Sequence, residues 1–148
     1  MKTFSTSIME PQQNQGTYGN IAFQVGLLHF VHLLVMADGD IDTREKAAIR
    51  KIKLEEKIPD WVFEDFEESL PYKTGQQMYD EGVTLLNSCT EEERLTAFVH
   101  LYRLSEADDN IHEKEVRFLL YSLNATNIQY ADVVLGARMS KAVSEKWL

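Results

Sequence analysis

The sequence is poor in the residues that lock or punctuate a chain. Cys89 is the only cysteine among 148 residues, and there are three prolines. One cysteine forms no intrachain disulfide, so the fold rests on its core. A reducing compartment, the cytosol, is the expected location. Basic runs are missing too. Acidic residues outnumber basic ones by 24 to 15, for a formal net charge of −9. Such a surface repels phosphate backbones, which argues against nucleic acid as a partner. Long apolar runs are scarce. The longest, "IAFQVGLLHFVHLLVMA" from Ile21 to Ala37, contains Gln24, His29 and His32 and is followed by three aspartates. It is short for a membrane span, and a buried central helix is the expectation. The first 19 residues have no apolar segment, so they read as a flexible polar leader rather than a signal peptide. Gly-rich phosphate loops, nucleophile elbows and HExxH are all absent.

What is present is helix. The chain is 44% hydrophobic, enough for the core of one domain spanning 20–148. No alternating strand pattern stands out. Helical spacing and capping residues predict seven helices. Their approximate spans are 20–37, 43–56, 59–70, 74–88, 90–107, 113–124 and 127–143. Asn20 is a candidate N-cap, and Thr90 with Glu93 forms a capping box. Val116, Leu119, Leu120 and Leu123 form the expected apolar stripe of the sixth helix. The fold class is therefore all-α, a single-domain bundle.

The bundle carries an internal repeat. "ADGDIDTRE" (37–45) aligns with "ADDNIHEKE" (107–115) at an offset of 70, with Ala, Asp, Ile and Glu shared. Each copy follows a long apolar helix and precedes an amphipathic one, so a helix, acidic turn, helix unit is used twice. A rival alignment uses "FVHL", at 30–33 and 98–101, and has an offset of 68. Two residues of slip rotate a helix by about 200°. Both alignments cannot hold, and "FVHL" is read as coincidence. Related halves would pack with the first helix against the fifth, bringing the acidic turns near one another.

The turns allow two readings. As helix punctuation, Gly39 ends one helix, Ile41 anchors the turn, Asp42 caps the next helix and Glu45 completes a capping box. In the second copy Ile111 and Val116 would form a hydrophobic staple around His112, and Glu115 matches Glu45. As a metal site, the turns offer hard carboxylate oxygens from Asp38, Asp40, Asp42, Glu45, Asp108, Asp109 and Glu115. These suit calcium, magnesium or manganese rather than zinc. Asp38, Glu106, Asp108 and Asp109 sit at helix C-terminal ends, where the dipole disfavours anions by roughly 0.3–1 kcal/mol each. Arg44 and Lys114, or a divalent cation, would supply the compensating charge. The twelve-residue EF-hand loop is not matched: counting from Asp38, its glycine and glutamate positions hold Thr43 and Ile49.

This doubled Ala-Asp-Gly pattern, followed by an apolar residue, a cap and a glutamate, resembles the tellurite-resistance TerB-like family over roughly residues 20–124. The resemblance implies an all-helical fold of two related halves and a cytoplasmic bacterial stress-response setting. The family also supplies the first module of a membrane-anchored J-domain co-chaperone. Its implied role is divalent-cation binding or protein interaction, not catalysis. The family's acidic positions fall on Asp38, Glu45, Asp108 and Glu115. The second copy departs from the pattern, with Asp109 in place of the glycine and His112 in place of a small cap. The alternative is a metal-free protein-interaction domain whose turns are only caps. An enzyme would need a closed pocket lined by carboxylates and a histidine.

His29 and His32 share a helix face, and His100 stands alone; all three read as structural histidines. The acidic residues Glu64, Asp65, Glu67 and Glu68 beside Trp61 read as solvated surface.

Overall fold

The computed structural model describes residues 20–37, 43–106 and 113–147, without the side chains of 37, 43–45, 48 and 140–147. The described residues form seven α-helices: α1 (Ile21–Ala37), α2 (Thr43–Glu55), α3 (Asp60–Ser69), α4 (Gly75–Asn87), α5 (Glu91–Ser105), α6 (Glu113–Thr126) and α7 (Tyr130–Trp147). A 3-10 turn, Leu70–Tyr72, follows α3. Strands are absent among these residues. No helix among them is long and apolar enough to cross a membrane.

The helix starts follow from local chemistry. Asn20 Oδ1 accepts the Ala22 N–H at 2.9 Å. Thr90 and Glu93 form a reciprocal capping box, and so do Thr74 and Gln77. Each satisfies backbone donors that have no partner within the helix, an effect typically near 1 kcal/mol. Pro59 is the N-cap of α3 and sits in extended backbone.

Helix α1 is the central element. It packs against α3, α4, α5 and α6. Leu27, Phe30 and Leu34 are fully buried on it, and Phe98 and Leu101 are fully buried on α5. The Phe30 ring lies 5.8 Å from the rings of Tyr79, Phe98 and Phe118. A smaller cluster joins Leu28 to Ile58, Val62, Phe66 and Met78.

The repeat is much longer in the structure than in the sequence. At an offset of 70, residues 27–36 and 97–106 match in burial position by position. The offset of 68 pairs half-buried His32 with buried His100 and exposed Met36 with buried Leu104, so "FVHL" is indeed in different surroundings. Helices α2 and α6 begin 70 residues apart, and so do α3 and α7. Both α2 and α6 end in a Schellman motif. Ile58 N–H donates to Lys53 O, and Ile128 N–H to Leu123 O, each at 3.0 Å. Both motifs place the preceding residue in left-handed backbone, Lys57 at φ 52° and Asn127 at φ 58°. Each helix that follows an acidic turn also packs on the other half's long helix: α2 on α5, and α6 on α1. Helix α4 joins the halves and occurs once.

Two expectations are corrected here. The seventh helix starts at Tyr130 and not near residue 127, because Asn127 belongs to the Schellman turn closing α6. Leu119 and Leu123 are buried as expected, but Val116 and Leu120 are 39% and 49% exposed, and Glu115, Ser122 and Thr126 face inward beside them. The buried stripe of α6 is rotated toward α1, and its apolar neighbours are left at the surface.

The strained position at Lys57 has a measurable consequence. Left-handed backbone costs a residue with a Cβ about 1–2 kcal/mol. Lys57→Gly is therefore expected to raise stability by about 0.5–1 kcal/mol in urea denaturation, after glycine's greater freedom in the unfolded chain is deducted. Asn127→Gly should gain less, because asparagine tolerates this region.

Candidate acidic turns and a polar cleft

The acidic segments connect equivalent helices of the repeat. One lies between the end of α1 at Ala37 and the start of α2 at Thr43, the other between the end of α5 at Ser105 and the start of α6 at Glu113. Of the seven expected ligands, Asp38, Asp40, Asp42, Asp108 and Asp109 lie outside the described residues, and so does the side chain of Glu45. Gly39, Ile41, Ile111 and His112 are outside them as well, so the proposed turn anchors and the staple are too.

Glu115 is described, and it is only 4% exposed. It lies in the first turn of α6, where the helix dipole favours an anion. A carboxylate removed from water in this way needs polar or positive company. Its neighbour Lys114 is exposed. Glu106 is the exposed C-cap of α5. Among the described residues no group of three His, Cys, Asp or Glu side chains is arranged to hold a metal.

The histidines of α1 are structural. His29 is 2% exposed. Its Nδ1 lies 2.7 Å from the Val25 carbonyl and its Nε2 3.2 Å from Glu81. The Lys73 ammonium sits 2.7 Å from the same Glu81 oxygen. That hydrogen bond is the main reason the Glu81 carboxyl titrates below its ordinary range. The His32 imidazole is lowered first by burial and then by His29, so neutral His32 is favoured at neutral pH. Both rings flank Phe66, at 5.2 and 6.2 Å. Cys89 is buried, and its Sγ lies 3.3 Å from Leu85 O. Burial, then Glu93, pushes its thiol up, the opposite of what a nucleophilic cysteine needs.

His100 is not alone. It is 6% exposed, and its Nε2 is 2.6 Å from Glu56 Oε2. Its Nδ1 faces Glu55 Oε1 at 3.8 Å. The ring thus lies between two carboxylates at the C-terminal end of α2. It forms the floor of a cavity of about 650 Å³ between α2, α5 and α7. Glu55, Glu56 and Glu92 line it together with Arg103, Val99 and Met139. A second cavity of about 240 Å³ shares Glu56, Glu92 and Thr96 with it. Sequence reasoning missed this pairing because 44 residues separate the partners.

The cleft holds carboxylates and a histidine, but in an open form. Glu92 and Met139 at its edge are exposed, Met139 by 59%. The hydroxyl of Thr96 donates to Glu92 O at 3.0 Å, within its own helix. The acidic face of α3 is solvated as expected, with Trp61 63% exposed.

No family model, no curated protein and no solved structure matches the chain.

Proposed function

We propose that the protein is a non-enzymatic, TerB-like stress-related module of the bacterial cytoplasm that binds a divalent cation, calcium or magnesium, at its acidic turns. The observation that carries this reading is the burial of Glu115 at the start of the helix following the second turn. Glu115 holds its carboxylate inward at the end of the acidic segment, and a hard cation takes several oxygens at once, which Asp108 and Asp109 would add. The constant offset of 70 supports the same role for the first turn, where Asp38 and Glu45 hold the matching positions.

Calorimetric titration of the chain with calcium and with magnesium chloride tests this. Saturable binding is expected, and Asp38→Ala combined with Asp108→Ala should abolish it. Glu115→Gln should weaken it. Binding that survives the double variant would sink the reading.

The second reading is a metal-free protein-interaction domain whose turns serve only as caps. The open cleft between α2, α5 and α7 favours it. It predicts no saturable heat with either cation.

A further inference from the structure

The cleft gains its meaning from the repeat. In the first half, α4 lies on α1 and touches positions 25, 26, 29 and 30. A Cβ on Gly26 would meet Leu86 at 3.1 Å and Leu85 at 3.2 Å. His29 bonds to Glu81, Phe30 stacks against Tyr79, and Val25 lines a small cavity with Thr84 and Leu85. Helices α3 and α6 flank the same seat. Met78 packs with Val62 and Phe66 of α3, Tyr79 meets Phe118 and Tyr121 of α6, and Asn87 Nδ2 donates to Ala125 O at 3.4 Å.

Seventy residues on, the counterparts of positions 25, 26, 29 and 30 are Leu95, Thr96, Val99 and His100. All four line the cleft. The flanking walls correspond too: α7 stands where α3 does, and the end of α2 where the end of α6 does. No described element takes the place of α4, but α7 and the end of α2 close over Val99 and His100, which are 9% and 6% exposed, so the opening lies over Leu95 and Thr96. Thr96 is accordingly half-buried where its counterpart Gly26 is buried.

Chemistry distinguishes the two seats. Glu92, Glu55 and Glu56, which line the cleft, stand at the repeat positions of Ala22, Ala125 and Thr126. Three glutamates, with Arg103 the one Lys or Arg among the described lining residues, thus stand where the repeat has three neutral residues, around an opening over Leu95 with Val99 and His100 buried beneath. We propose that the cleft is a docking seat for a basic amphipathic helix of a partner protein, laid along the Leu95 and Thr96 face of α5 beside Met139 of α7. Its apolar stripe covers Leu95 and Met139, and its Lys or Arg side chains face Glu55, Glu56 and Glu92. This goes beyond cation binding at the turns: Glu115, the described ligand candidate there, does not line the cleft.

The test uses the full chain and a capped peptide with the sequence of residues 74–88 carrying D80K, E81K and N87K. That peptide keeps α4's inward apolar residues and reverses its charge. Backbone NMR titration should shift Thr96, Val99, Arg103 and Gly136. The unmodified acidic peptide should bind far more weakly. Glu92→Lys and, separately, Met139→Asp should each weaken binding at least about tenfold, as loss of interface charge or apolar contact does. Both residues are exposed, and unchanged thermal melting verifies that the variants fold. The proposal is overturned if millimolar peptide shifts no cleft residue, or if the shifts fall on the acidic face of α3. Equal binding of both peptides overturns it, and so does a chain that dimerises through this face by itself.

Discussion

Phe30→Ala is expected to destabilise the protein by about 3–5 kcal/mol, the range for truncating a fully buried aromatic residue. Phe30 has no exposed surface. Its ring contacts aromatic residues from α4, α5 and α6 at once, so one substitution loosens α1 from three neighbours. Rings from three separate helices cannot all move in to fill the space, and the cavity persists. In thermal melting the loss corresponds to roughly 6–20 °C for a chain of this size. A change in urea stability below about 1 kcal/mol would show that the aromatic cluster repacks and is not the centre of the core.

Gly82→Val is expected to cost about 1–3 kcal/mol, although valine is the better helix former. Gly82 is buried in the middle of α4. A Cβ there would lie 3.0 Å from Phe30 Cε2 and 3.2 Å from His29 Cβ. On the facing helix Gly26 leaves similarly little room, toward Leu86 and Leu85. The two glycines let α1 and α4 approach closely, and branched bulk at either one drives the helices apart. Gly82→Ala should be milder, since about 1 kcal/mol of helix propensity offsets the contact. The two sites also share the Phe30 ring. The double variant Phe30→Ala, Gly82→Val should therefore lose less than the sum of the single losses, by about 0.5–3 kcal/mol in a double-mutant cycle. Strict additivity would separate Gly82 from the aromatic cluster.

The legible parts of this fold are the local ones. Asn20 and Thr90 cap their helices through bonds spanning three residues or fewer. The offset of 70 is also readable, because the acidic turns and their flanking helices align at it and helical geometry then forbids 68. Other features depended on a neighbour. Val116 and Leu120 have helical spacing suited to burial, yet the inward stripe runs through Glu115 and Ser122. Adjacent stripes on one helix differ by about 100°. Only the position of α1 selects between them. The start of α7 was misplaced for a similar reason. Asn127 reads equally well as a cap and as the left-handed end of the preceding helix.

For the candidate sites the division is sharper. The acidic turns are visible as composition and repeat, in a contiguous run of residues. The pairing of His100 with Glu56 is not, because neither residue signals the other across two helices. The sequence by itself determined that the chain is helical and that one unit recurs at a spacing of 70. Capping bonds and apolar spacing act over a few residues and leave a written trace. Which of the two equivalent seats is filled was decided only in the tertiary structure. The chain has one α4, and long-range packing laid it on α1, while α5 is covered by α7 and the end of α2 and keeps a cleft over Leu95 and Thr96.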